Sequence, residues 1–112
     1  MRAIIYHNPK CGTSRNVLQI LRETGEEPLI IEYLKTPLSR AQLEGLAKKL
    51  GSAASLLRSK EPLAAELELR NADADRILQA IEAHPILLNR PIVETAKGAR
   101  ACRPAELVRE LL

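Results

Sequence analysis

No Trp and no Phe occur among the 112 residues, and the aromatic class is reduced to two Tyr. A chain without stacking platforms is poorly equipped to hold single-stranded RNA or DNA, whose bases rest on aromatic faces. Charge does not restore that reading. Seventeen basic residues against fourteen acidic leave a formal +3, and Lys and Arg are scattered as on an ordinary solvated surface. Cysteine is scarce too: Cys11 and Cys102 stand 91 positions apart, form no metal-ligand pair, and find no zinc spacing with His7 or His84. No apolar run is long enough to cross a bilayer, and the N-terminus lacks a signal-peptide pattern. A reducing, cytoplasmic compartment is the expectation. There is no internal repeat, low-complexity segment or linker, and the length suits a single domain with a modest core.

The order of elements begins with a short β-prone run, Ala3-Ile4-Ile5-Tyr6, closed by Asn8-Pro9. From Ser14, Val17, Leu18 and Leu21 recur at helical spacing until Gly25, and Leu29-Ile30-Ile31 then reads as a buried strand. This β-α-β opening favours two parallel strands with a crossover helix. Ser39-Arg40-Ala41-Gln42 fits a capping box before Leu43, Leu46, Ala47 and Leu50, and Gly51 ends that helix. Helical patterns continue to about residue 84, with a loop or broken helix after Pro62 and a stop before Pro85. Ile92-Val93 and Arg100-Ala101-Cys102 flank a Lys97-Gly98 turn, and Pro104 suits the first turn of a last helix with Leu107, Val108 and Leu111 inward. The pattern predicts an α/β domain: a four-stranded mixed sheet with helices packed on it.

Chemistry concentrates at Tyr6-His7-Asn8-Pro9-Lys10-Cys11-Gly12-Thr13-Ser14-Arg15-Asn16. A thiol at a helix N-terminus meets free backbone N–H groups and the positive end of the helix dipole, which stabilise its thiolate. If the pKa falls about two units from ~8.5, the thiolate fraction at pH 7 rises from about 3 % to about three quarters, while nucleophilicity drops. The net gain is about threefold, so something else must orient or charge-match the electrophile. A phosphatase loop needs arginine six positions after the cysteine, where Val17 stands; a dithiol motif needs cysteine three positions on, where Ser14 stands. Any disulfide step therefore borrows its second sulfur. Ser14 is a helix cap or a substrate contact, and His7 a turn residue or a modulator of the thiol. His84 and Cys102 read as structural, Cys102 as a buried thiol. Arg58, Arg90 and Arg103 stand beside element ends, the last two directly before proline. Guanidinium forks suit a tetrahedral oxyanion, although spacing does not show that they converge on Cys11.

Together the blocks YHNPKCGTSRN, EYLKTPLSRAQL, LLR, HPILLNRPIV and KGARACRP resemble, in order and spacing, the glutaredoxin-coupled arsenate reductase family. The resemblance implies a thioredoxin-like fold with a helical insertion at about residues 39–84 and a cis bond at Arg90-Pro91. It implies that Cys11 attacks arsenate, with His7 helping to activate it, Ser14 supporting the thiolate, and Arg58, Arg90 and Arg103 holding the oxyanion. Glutathione, as co-substrate, would then attack the Cys11–arsenate adduct and glutaredoxin would clear the mixed disulfide; no bound cofactor, metal, nucleic acid or membrane is expected, and the expected state is a monomer. The longer family members carry a C-terminal extension that this sequence lacks. Shorter relatives include thiol reductases and redox regulators that bind RNA polymerase; the regulators carry a Cys-x-x-Cys switch, which Ser14 removes here. The alternatives are therefore a glutathione-dependent thiol reductase on the same scaffold and a non-catalytic regulator.

Overall fold

In the computed structural model, which describes residues 2–112, strand β1 (Ile4–His7) runs between β2 (Leu29–Glu32) and β3 (Ile92–Thr95), with β4 (Gly98–Ala101) outside β3. β1 and β2 are parallel, with Ile5 opposite Ile30 and His7 opposite Glu32. β1–β3 and β3–β4 are antiparallel, pairing Ile5 with Val93 and Val93 with Arg100. Parallel pairing requires a crossover, and α1 (Gly12–Glu23) supplies it. The sheet is the expected four-stranded mixed one.

Alternation along the strands sends Ile5 and Val93 to one face, where they meet Val17 and Leu21 of α1 and Val108 and Leu111 of the C-terminal 3₁₀ helix (Ala105–Leu111). Ile5, Val17, Leu21, Val93 and Val108 are fully buried, and each such side chain contributes about 1.5–3 kcal/mol relative to exposure. This core clamps α1 onto β1 and so fixes the loop between them. On the opposite face Tyr6 Oη donates to the buried Glu94 carboxylate at 3.4 Å.

Four expectations need correction. Leu29-Ile30-Ile31 is not a buried strand: β2 is an edge strand, and Leu29 and Ile30 are exposed. The last helix is 3₁₀ rather than α, because its buried residues Ala105, Val108 and Leu111 recur every three positions. Pro104 precedes it as the capping residue rather than lying within its first turn. The strand that opens the chain also extends one residue further than the apolar run, to His7.

The sheet with α1 and the C-terminal 3₁₀ helix forms one unit, made of the segment ending at Thr36 and Arg90–Leu112; Pro37–Asn89 forms a second. In the second unit α2 (Arg40–Leu50) starts with the expected capping box, Ser39 Oγ accepting from Gln42 N at 3.2 Å and Gln42 Oε1 from Ser39 N at 2.8 Å. It ends at Gly51, whose φ of 99° is the left-handed conformation that glycine adopts without a Cβ clash. The segment after Pro62 forms a short helix, α3 (Pro62–Glu66). Asp73 caps α4 (Ala74–Ala83), which stops before Pro85. α4 packs on α2, and Arg40 of α2 reaches Asp75 at 2.7 Å.

Candidate active site

The β1–α1 loop is built by local hydrogen bonds that its residue types dictate. Asn8 Oδ1 accepts the N–H of Lys10 at 3.0 Å, and the Asn8 carbonyl accepts the N–H of Cys11 at 3.0 Å. With Pro9 in its second position this is a β-turn that delivers Cys11 to the helix start. Cys11 is the N-cap of α1, with extended φ and ψ of −92° and 122°. No side chain closes the cap with a formed hydrogen bond. The sulfur occupies the place of a capping oxygen, exposed to the N–H dipoles of Ser14 and Thr13.

Ser14 is not the cap. It stands three residues into the helix, fully buried, with Oγ 2.6 Å from His7 Nδ1 and accepting the N–H of Asn8 at 3.1 Å. The hydroxyl has one hydrogen and two lone pairs, so while accepting from Asn8 it pairs with Nδ1 as donor or as second acceptor, according to the imidazole tautomer. Burial keeps the His7 pKa below the ordinary histidine value; Glu32 raises it, and the nearby Arg22 and Arg15 charges lower it. His7 ends β1 rather than lying in a turn, and it is joined to the loop through Ser14.

Arg90 and Arg103 lie with Cys11 in the sheet unit. Both precede cis prolines, Arg90-Pro91 as expected and Arg103-Pro104 in addition. Arg103 Nη1 stands 3.7 Å from Cys11 Sγ and donates to the Arg90 carbonyl at 3.2 Å. Partial burial raises the Cys11 pKa, but the Ser14 N–H, the Arg103 and Arg90 guanidiniums and the Thr13 N–H outweigh it, so the thiol lies below the ordinary range. Cys102 shows the opposite case. It is fully buried just past β4, and its pKa is pushed up to about 12, mainly by burial. Arg58 belongs to the helical unit. Its backbone N–H bonds Leu87 O at 2.8 Å, and its Nε is buried without a hydrogen-bond partner, 3.8 Å from Glu61.

Sequence reasoning missed Arg15 and the cleft beside it. Arg15 Nη1 donates to the Pro9 carbonyl at 2.9 Å and braces the loop. A cleft of about 620 Å³ opens along α1 between His7, Pro9, Arg15, Leu18, Arg22 and Glu23, with Gln19 on its wall. The available signal was the seven-residue spacing of Arg15 and Arg22, which places them on one helix face.

A β-α-β unit followed by an antiparallel hairpin, with Cys11 where β1 meets α1, is a thioredoxin-like fold. The chain belongs to the ArsC family, whose model matches residues 6–111. It is 49 % identical over 111 residues to the arsenate reductase of Escherichia coli K12, covering 96 % of this chain and 79 % of that protein. It is 45 % identical to the arsenate reductase of Rhizobium meliloti, covering 100 % of this chain and 82 % of the relative. Among solved structures, the arsenate reductase from Vibrio cholerae superposes with a TM-score of 0.93 at 40 % identity, covering 100 % and 98 % of the two chains. Among the described residues no helix is long and apolar enough to cross a membrane, and no group of three or more His, Cys, Asp or Glu could hold a metal ion.

Proposed function

We propose that this chain is an arsenate reductase that uses Cys11 as nucleophile and glutathione with glutaredoxin as its source of electrons. The observation that carries the reading is Arg103 Nη1 at 3.7 Å from Cys11 Sγ, with Arg90 acting on the same sulfur. A pair of guanidiniums around a lowered-pKa thiol both keeps the thiolate and presents hydrogen-bond forks to a tetrahedral oxyanion. The relatives named arsenate reductase supply the substrate class.

The Cys11 thiolate attacks arsenic(V) and an arsenate oxygen leaves as water, giving a sulfur–arsenic bond. Glutathione thiolate then attacks Cys11 Sγ. The sulfur–arsenic electron pair stays on arsenic, which leaves as arsenite, while the two sulfurs become a mixed disulfide. Glutaredoxin takes the glutathionyl sulfur and returns Cys11 as thiolate. His7 and Ser14 hold the loop in the geometry that keeps Sγ over the helix N-terminus, and Arg90 and Arg103 neutralise the anion during attack. Arg58 enters the proposal from the family pattern alone.

The deciding experiment measures arsenite formed from arsenate with glutathione and glutaredoxin together and with each omitted. Arsenite that requires both supports the reading. Release of glutathione from small mixed disulfides without arsenite would replace it with the thiol-reductase reading.

A further inference from the structure

Cys11 is the joint between two local structures. The β-turn that starts at Asn8 ends on it, α1 begins after it, and its φ and ψ of −92° and 122° set the angle between them. A turn linked to the helix through that joint alone would be free to rotate about those two torsions, and Sγ would leave the helix N–H groups as it did so. Two side chains of α1 reach back across the joint. Ser14 does so on the buried side, accepting the Asn8 N–H at 3.1 Å. Arg15 does so on the solvent side, donating from Nη1 to the Pro9 carbonyl at 2.9 Å.

Pro9 and Lys10 are the central residues of the turn. The carbonyl that Arg15 holds therefore belongs to the central peptide, whose orientation defines the turn type. The Arg15 backbone N–H meanwhile bonds the Cys11 carbonyl at 3.0 Å, so one residue holds the carbonyls of both Pro9 and Cys11. Its guanidinium lies along the backbone, Nη2 being 3.7 Å from where a Cβ on Gly12 would stand. The cations that act on the sulfur are instead Arg103 and Arg90. We propose that Arg15 is a positioning residue for the Cys11 nucleophile, its bond to the Pro9 carbonyl locking the turn to α1 so that Sγ stays over the helix N-terminus. The proposal takes Cys11 as the reacting thiol, as the arsenate reading does, and makes its reactivity depend on an arginine that does not hold the oxyanion.

The test compares wild type, Arg15→Ala and Arg22→Ala. Arg15 and Arg22 both lower the His7 pKa, so the Arg22 variant controls for that shared effect of charge. Iodoacetamide alkylation of Cys11 is followed against pH in low salt and in about 1 M KCl, where exposed charges are screened. Arg15→Ala should shift the profile upward and slow alkylation near neutral pH about two- to tenfold, the worth of one hydrogen bond. The loss should be the same at both salt concentrations, and Arg22→Ala should follow wild type. In urea, Arg15→Ala should lower the midpoint less than Ser14→Ala does, because the Arg15 bond is open to water. With arsenate, glutathione and glutaredoxin, kcat should fall by a similar factor and KM for arsenate should hold. A wild-type profile in Arg15→Ala, or a urea midpoint below that of Ser14→Ala, would overturn the proposal. So would a shift that disappears in KCl or recurs in Arg22→Ala, since charge alone would then explain it. A raised KM for arsenate with an unchanged profile would make Arg15 an oxyanion contact instead. An Arg15-dependent profile in a protein that forms no arsenite with any thiol would keep this role and reject the arsenate reading.

Discussion

Ser14 Oγ bridges His7 Nδ1 at 2.6 Å and the backbone N–H of Asn8 at 3.1 Å. One buried hydroxyl thereby ties the end of β1, the turn and the first turn of α1 into a single piece. Ser14→Ala should leave the His7 ring and the Asn8 amide short of a partner and cost about 1–3 kcal/mol of stability. Urea denaturation gives the value directly. A midpoint equal to wild type would show that the loop is held by its β-turn alone, without this bridge.

Replacing Cys11 by Ser should abolish arsenite formation in a well-folded protein, because a hydroxyl is far too basic to supply the nucleophile. Cys102→Ser should keep wild-type kcat. The cost there falls on the core: a hydroxyl among Ile5, Val93 and Val108 destabilises by about 1 kcal/mol, at the low end because Cys102 Sγ already lies 3.5 Å from the Arg100 carbonyl. Turnover by folded Cys11→Ser, or a large kcat loss in Cys102→Ser at unchanged Tm, would each reject the one-thiol mechanism.

The pH dependence of alkylation reports the Cys11 environment. Only the thiolate reacts, so a lowered pKa moves the rise of the iodoacetamide rate to lower pH. The wild-type profile should rise below that of a small free thiol, as the hydrogen bonds from Ser14, Arg103 and Arg90 require. Removing a cation disfavours the charged form, so Arg103→Ala should shift the profile upward. Coincident profiles for the two proteins would mean that Arg103 does not act on the sulfur.

For arsenate itself, Arg90→Ala and Arg103→Ala should each lower kcat/KM about ten- to a hundredfold, the worth of one charge-assisted contact. Arg103→Lys should recover only part, since an ammonium keeps the charge but not the planar fork. Arg103 also donates to the Arg90 carbonyl, so the double alanine variant should lose less than the product of the single losses. Arsenate kinetics like wild type in both single variants would make these ordinary surface charges.

Much of the fold was legible because its signals are local. The Asn8-Pro9 turn, the Ser39–Gln42 capping box and Gly51 each act within one helical turn, and each stands where sequence places it. The exposure of β2 was not legible: Leu29-Ile30-Ile31 has the same apolar pattern whether edge or centre, and only the placement of β3 on the far side of β1 decides. Within the site, the thiol at the start of α1 could be read from the loop, but the approach of Arg103 to Cys11 could not. It joins residues 92 positions apart through the β3–β4 hairpin. Ser14 misled because serine near a helix start is usually its cap; here the cap position holds the sulfur, and the hydroxyl turns toward β1.

The burial of Cys102 bears on how an oxidised Cys11 would be restored. With its thiol fully buried and pushed up to about 12, that sulfur is held as the unreactive thiol at neutral pH. On the proposed one-thiol mechanism, an adduct on Cys11 would then be resolved by a thiol from solution, so the rate of return to the free thiolate would follow the supply of such thiols.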